Sequence, residues 1–281
     1  MFSYRHGFHA GNHADVLKHV VLIQMLAYLT AKETPLWFVD THAGAGAYSL
    51  ASSFARKKGE FRDGIGRLWD RKELPPALLA YIQQVEKVNP GRELRSYPGS
   101  PQIALQMMRP QDRLQLFELH STESEVLRKY FSKAGRRVSV QAADGFAGLK
   151  AVLPPASRRG LALIDPSYED KEDYRKVVAA MRDALQRFAT GVYAVWYPQV
   201  RRQEADDLPG QLKQLAQGDW LHASLTVKAP AADGLGLHGS GLVVFNPPWN
   251  LESSLKAVLP VLVKFLGQDR HASYSLKFRQ T

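Results

Sequence analysis

Residues Leu161–Tyr168 read Leu-Ala-Leu-Ile-Asp-Pro-Ser-Tyr, an apolar run that stops at an aspartate, a proline and, two residues further, an aromatic ring. The run has the length and composition of a strand covered on both faces, and the Asp-Pro-Ser after it punctuates a turn. Ligands of open α/β sheets sit outside the carboxyl ends of the strands, so a strand ending in a carboxylate is placed for chemistry. Asp165 offers that carboxylate, the Pro166 carbonyl a second acceptor, and Tyr168 a ring face. Together they suit an exocyclic amino group on a flat base, which needs two acceptors for its N–H bonds and a surface to hold its ring in plane. A buried strand ending in a plain Pro-Ser turn explains the same string, so its neighbours decide.

Four more short apolar runs accompany it, at Leu36–Asp40, Leu114–Glu118, Val138–Gln141 and Val192–Tyr197. Between the last two of the five, Lys171–Phe188 sets Tyr174, Val177, Val178, Met181, Leu185 and Phe188 at the spacing of an amphipathic helix. Strands alternating with such helices predict a doubly wound α/β sheet. Two further strands, near Leu221–Val227 and Gly241–Phe245, are expected to close its edge as a hairpin, with a final helix at Leu251–Leu266. The prediction is a single domain over residues 1–281, built on a seven-stranded, mostly parallel sheet.

One spacing departs from that plan. Gly46 and Glu118 are 72 positions apart, where a nucleotide-binding unit puts about 20 residues between its glycine loop and its second-strand acid. Residues 50–97 therefore read as an inserted helical subdomain, with helical patterns near Phe61–Trp69 and Pro76–Val88 and breakers at Pro75-Pro76 and Asn89-Pro90-Gly91. The insert carries Arg56, Lys57, Lys58, Arg62, Arg67, Arg71 and Lys72. That is either a grip for nucleic-acid phosphates on the cofactor side of the sheet or a solvated charged surface.

Composition narrows the function. Hydrophobic residues at 45% and charged residues at 23% are ordinary for a folded protein. No apolar stretch reaches a bilayer span, since Val16–Leu29 is interrupted by Lys18, His19 and Gln24, and Tyr4–His19 is too polar for a signal peptide. The absence of cysteine excludes disulfides, thiolate metal sites and thiol catalysis, and fits a cytoplasmic protein. A formal charge of +10 calls for a polyanionic partner, and nucleic acid is the commonest.

Asp40-Thr41-His42-Ala43-Gly44-Ala45-Gly46 follows the first strand. Its alternate glycines let backbone approach a ligand closely. No Gly-Lys-Ser/Thr follows, so it is not a P-loop, and Tyr48 and Ser49 spoil the fuller dinucleotide pattern. An acid before such a loop suits a ligand with a cationic amino-acid end, such as S-adenosylmethionine (SAM). Glu118 at the tip of the second strand is placed for ribose hydroxyls. Asp144-Gly145-Phe146 after the third is placed for an adenine amino group and ring, and Asp165 closes the fourth. Each acid alone would pass as a helix cap; four in this order point to a SAM-dependent methyltransferase.

A second string, Asn246-Pro247-Pro248-Trp249, looks still more like an amine-methylating tetrad. It follows the last strand, far from the cofactor crevice, and Asn as N-cap with proline at the first helical position accounts for it. The N-terminal Tyr4–His19 holds four of the nine histidines. His9 and His13 share a helical spacing, but no acidic or cysteine cluster accompanies them, so no metal is expected. The segment reads instead as a polar flap over residues 1–19, hinged at Gly7 and Gly11.

Tyr4–His19, Asp40–Gly46, Tyr97-Pro98-Gly99-Ser100-Pro101, Ala143–Phe146, Val195-Trp196-Tyr197-Pro198 and Asn246–Trp249 together resemble the bacterial RlmJ family of 23S ribosomal RNA adenine-N6 methyltransferases, over nearly the whole chain. The resemblance implies a Rossmann-like SAM-dependent methyltransferase fold and one adenine of 23S rRNA as target. It also implies free rRNA rather than the assembled ribosome as substrate, and a monomer. Carried over by position, His19, His42, Ser100, Glu118, Asp144 and Gly145 would contact SAM. Asp165, with Pro166 and Tyr168, would be catalytic, and Tyr4, His6 and Lys18 would serve the RNA. Ser100 has a plain reading too, as an N-cap before Pro101. The family usually has a second proline where this chain has Ser167, which loosens the turn and adds a hydroxyl. A DNA adenine-N6 methyltransferase, a protein-amine methyltransferase and a basic RNA-binding module with a vestigial SAM site remain alternatives.

Overall fold

Each of the five apolar runs forms a strand, and the five lie parallel. The computed structural model describes residues 6–52, 59–234 and 236–280. Its main strands are β1 (Trp37–Asp40), β4 (Arg113–Phe117), β5 (Val138–Gln141), β6 (Gly160–Ile164) and β7 (Val192–Gln199), and β2 (Ala47–Ser49) and β3 (Ser96–Pro98) form a separate ribbon. Beyond β7 come β8 (Trp220–Thr226), β9 (Gly239–Phe245) and β10 (Ser273–Arg279). The sheet order is β10-β8-β9-β7-β6-β1-β4-β5, with β9 antiparallel to β7 and β8, and β10 antiparallel to β8.

The sheet thus has eight strands rather than the expected seven. The eighth, β10, alternates Tyr274, Leu276 and Phe278 with polar residues. It is an edge strand with Tyr274 and Phe278 exposed and no residue fully buried, so it lacks the continuous apolar run of the central ones. Among the described residues no helix is long and apolar enough to cross a membrane.

The described residues form eight α-helices around the sheet and the insert: α1 (His13–Leu29), α2 (Pro76–Glu86), α3 (Ser100–Met107), α4 (Ser121–Tyr130), α5 (Gly145–Val152), α6 (Glu172–Arg187), α7 (Gln203–Leu215) and α8 (Leu251–Leu266). Successive strand residues point to opposite faces. Phe38, Leu161 and Leu163 accordingly join α1, α2, α3 and α8 in one core, while Val39, Ala162 and Ile164 join α5, α6 and α7 in the other.

The N-terminal segment is not a flap along its length. From His13 onward it is α1, buried all round as far as Ile23, as befits a helix packed between sheet and insert. Asn12 caps it, accepting from the amides of Ala14 and Asp15 at 3.0 Å. Only residues 6–11 form a turn above it, and Tyr4 lies outside the described residues.

The insert leaves the sheet after β2 and returns through β3. The expected helix at Phe61–Trp69 is two 3-10 turns, Glu60–Asp63 and Ile65–Arg67. They are broken at Gly64, whose backbone crosses Gly11 and Asn12 so closely that a Cβ would overlap the Gly11 carbonyl oxygen. Ile65, Leu68, Leu78, Tyr81 and Val85 belong to the same core as α1, and Arg67 donates to the carbonyls of Phe265 and Gly267. Arg71 lies over the Phe265 ring. The insert is therefore a buttress packed on α1 and α8. Arg56, Lys57 and Lys58 lie outside the described residues.

Asn89 does more than break a helix. Buried, it donates to the carbonyls of Val85 and Ser96 and accepts from the amides of Arg95 and Ser96. Replacing it with alanine orphans four backbone groups at the insert's exit, so Asn89→Ala should lose about 2–4 kcal/mol of unfolding free energy. Urea denaturation measures this, and a loss under 1 kcal/mol would show that water replaces the staple.

Candidate active site

The carboxyl ends of β1, β4, β5, β6 and β7 open into one cavity of about 470 Å3. Every expected site residue among the described ones lines it: His6, Lys18, His19, His42, Ser100, Glu118, Asp144, Gly145, Asp165, Pro166 and Tyr168; Tyr4 lies outside the described residues.

At one end lies the glycine loop. Gly44 and Gly46 take left-handed φ angles of 59° and 83°, which glycine adopts without strain. The Gly44 amide donates to a Glu118 oxygen at 2.8 Å, and the His120 amide donates to the other at 2.8 Å. Burial pushes the Glu118 carboxyl up, against these two donors. Asp144 is exposed and caps α5, its Oδ1 accepting from the Ala147 amide at 2.9 Å. Gly145 begins α5 against the first-strand loop, where a Cβ would overlap the Thr41 carbonyl. His42 meets Phe146 edge-on at 5.1 Å, and burial lowers its pKa to about 4.

Ser100 is not an N-cap. It is the first residue of α3, after the capping Gly99, and its hydroxyl donates to Asp40 at 2.6 Å. Asp40 is fully buried behind the loop. Burial raises its carboxyl to about 7, with Ser100 working the other way.

At the other end a chain of charges runs through the protein. Lys18 Nζ stands 2.6 Å from Asp165 Oδ2 and 2.9 Å from Asp15 Oδ1. The other Asp15 oxygen accepts from the Gly11 amide and contacts His6 Nε2, both at 2.9 Å. Burial opposes the Lys18 charge, but Asp15 and Asp165 outweigh it and hold the ammonium well above its ordinary range. Burial likewise opposes the Asp15 charge, which His6 and Lys18 keep well below the usual carboxylate range. Burial pushes the Asp165 carboxyl up, while Lys18 pulls it down. Asp165 Oδ1 takes no hydrogen bond from the described residues.

Tyr168 has a left-handed φ of 53°, and its hydroxyl donates to the Trp196 carbonyl at 2.6 Å. Its ring rests on Tyr174 and Trp196 and is 3% exposed. It is a buried wall, less open than a stacking platform would be. Ser167 accepts a long bond from the Glu169 amide at 3.5 Å, so its hydroxyl tightens the turn that a second proline would otherwise restrict.

The rival Asn246 is remote. Phe245 pairs with Tyr193 at the start of β7, so Asn246 emerges at the end of the sheet opposite Asp165. It is no cap either: the cap of α8 is Asn250. Asn246 has a φ of 51° and donates to the carbonyls of Ala189 and Gly191, both at 2.7 Å. His9 contacts Glu60 at 2.9 Å, and His13 is buried at the start of α1.

Sequence reasoning missed Asp15 and Trp196 as site residues. Asp15, Lys18 and His19 stand at the i, i+3, i+4 spacing of one helix face, which marks them as a polar stripe on an otherwise apolar helix. Trp196 is half-buried in the cavity, with Lys18 Nζ 5.9 Å from its ring centre.

Parallel strands in the order β5-β4-β1-β6-β7, antiparallel strands beyond, and acids gathered round a glycine loop form the crevice of a Rossmann-like fold, and the family match makes the chain a methyltransferase. Residues 33–279 match the model of the family described as Ribosomal RNA large subunit methyltransferase D, RlmJ, and the chain belongs to that family. The Ribosomal RNA large subunit methyltransferase J of Haemophilus influenzae is 46% identical over 279 residues, 99% of each chain. Its namesake in Escherichia coli K12 is 49% identical over 262 residues, 93% of each. The crystal structure of a Legionella pneumophila protein superposes with a TM-score of 0.87 at 39% identity, covering 96% of this chain and 98% of that one.

The buried Asp40 has a signature in the pH dependence of stability. Its folded pKa of about 7 exceeds the ordinary 3.8, so the folded state holds a proton that the unfolded state releases. Its contribution is complete below 3.8 and declines as pH rises to about 7. Asp40→Asn should therefore gain stability relative to wild type across that window, measured by urea unfolding at a series of pH values. A constant difference between the two proteins would show that Asp40 titrates normally.

Proposed function

We propose that this chain transfers the methyl group of SAM to N6 of a single adenine in 23S ribosomal RNA, acting in the cytoplasm as a monomer on free rRNA rather than the assembled ribosome. The observation that carries the reading is the state of Asp165, held through Oδ2 by Lys18 and lining the cavity that also contains the glycine loop and Glu118. The names of the relatives supply the RNA class.

His19, His42, Ser100, Glu118, Asp144 and Gly145 would hold SAM. One feature of the cavity fits such a ligand: His19 Nε2 is buried without a partner among the described residues. When bound, SAM supplies an electrophilic methyl on a sulfonium. Tyr4, His6 and Lys18 would serve the RNA from the N-terminal segment.

The target adenine must leave its stack, which costs a few kcal/mol, least in a bulge or near a helix end. Tyr168 and Trp196 give the extruded ring an aromatic wall. Asp165 Oδ1 and the Pro166 carbonyl accept the two N6 hydrogens and so direct the nitrogen lone pair along the attack line. As N6 becomes cationic, Asp165 opposes that charge. Lys18 beside it is tolerable because Asp15 offsets its ammonium, leaving two carboxylates around one cation. The methylated nitrogen then sheds its proton without a strong base.

Asp165→Ala should lower turnover by about 10² or more while SAM still binds, since a directed charge is lost from the transition state alone. Asn246→Ala should turn over normally. The assay is methyl transfer from labelled SAM to 23S rRNA lacking the mark, with duplex DNA alongside and SAM affinity by calorimetry. The reverse pattern would place the chemistry at the other tetrad, and preferred transfer to DNA would replace the substrate.

A further inference from the structure

The insert reaches the cofactor end of the cavity through three buried rings. Tyr81 on α2 and Tyr97 on β3 are fully buried, with their hydroxyls 3.0 Å apart. The Tyr97 hydroxyl is 2.8 Å from Nδ1 of His19 on α1. His19 lines the cavity, and its Nε2, on the flank of the ring away from Tyr97, has no partner among the described residues.

Burial lowers the His19 pKa to about 3, so the ring is neutral and carries one N–H. The line of hydroxyls then has two proton arrangements. In the first, Tyr81 donates to Tyr97 and Tyr97 donates to Nδ1, which puts the ring proton on Nε2. Every donor but Nε2–H is used, and that one belongs to the cavity wall. In the second, Nδ1–H donates to Tyr97 and Tyr97 donates to Tyr81. The Tyr81 hydroxyl is then a buried donor without an acceptor, a cost of about 1–3 kcal/mol, and Nε2 becomes a bare acceptor as well. The first arrangement wins.

We propose that Tyr97 is a positioning residue for the methyl donor: its hydroxyl donates to His19 Nδ1, fixes the ring proton on Nε2, and so presents an N–H donor to the carboxylate of the ligand's amino-acid end. The inserted segment thereby sets the proton arrangement of the cofactor site. The inference rests on the assignment of His19 to the SAM site.

The test uses the full chain with 15N-labelled histidine and SAM titration by calorimetry. Wild type should show His19, identified by its loss in His19→Phe, as the Nε2–H form. In Tyr97→Phe neither tautomer is favoured and the ring can turn, so the competent fraction falls and SAM Kd should rise about three- to tenfold, with kcat at saturating SAM nearly unchanged. Tyr81→Phe breaks a buried bond of the same kind, yet Nδ1 remains the one acceptor for Tyr97. Tautomer and SAM affinity should stay as in wild type, whereas a purely structural role would make the two phenylalanine variants alike. An Nδ1–H tautomer in wild type, equal losses in both variants, or unchanged SAM affinity in Tyr97→Phe overturns the relay. Unchanged affinity in His19→Phe instead overturns the cofactor assignment beneath it.

Discussion

Lys18, buried between Asp15 and Asp165, joins the N-terminal helix to the end of the strand where the chemistry is assigned. An ammonium without partners would be prohibitively costly at that depth, and so would either carboxylate. The three groups are therefore obligatory to one another, and breaking the pair from either side leaves a buried charge. The Asp15–Lys18 contact spans one turn of α1, while the Lys18–Asp165 contact spans 147 residues of sequence. The helix cannot move without releasing Asp165. His6 contacts Asp15 in turn, which couples the turn above α1 to the same chain.

This dependence explains why the first half of α1, His13–Ile23, is buried all round. A helix that carries Asp15, Lys18 and His19 into a cavity must be held rigidly, and the insert supplies the holding. Its residues Ile65, Leu68, Leu78 and Tyr81 share the core of α1. Ile65 donates to the Gly11 carbonyl at 2.9 Å, and Asn12 is tied to Glu60 at 3.0 Å. A segment that reads in sequence as a basic lobe is, in the described residues, the wall behind the site.

The parallel strands were legible because each is a short apolar run, and the acids at or just past the ends of four of the five located Asp40, Glu118, Asp144 and Asp165 in one crevice. The demotion of Asn246 was legible for the same reason, since the topology sends β9 the other way. Three things were not. The edge strand β10 is open to solvent, Tyr274 and Phe278 included, and has no apolar run. The break at Gly64 depends on the approach of Gly11, which no local pattern encodes. The polar N-terminal residues look solvent-facing because their partners lie far along the chain: Lys18 seems fit for a flap until Asp165 stands 2.6 Å from it. Long-range pairing of buried charges leaves no periodic trace, although the i, i+3, i+4 stripe of Asp15, Lys18 and His19 does.

The proposed hold of Lys18 on Asp165, as the acceptor for an adenine amino group, is open to mass spectrometry of 23S rRNA from cells deleted for this gene and complemented with wild type or with Lys18→Met protein that still folds and binds SAM. Wild type should restore a single N6-methyladenosine and Lys18→Met should not. Full restoration of the mark by Lys18→Met would contradict the account.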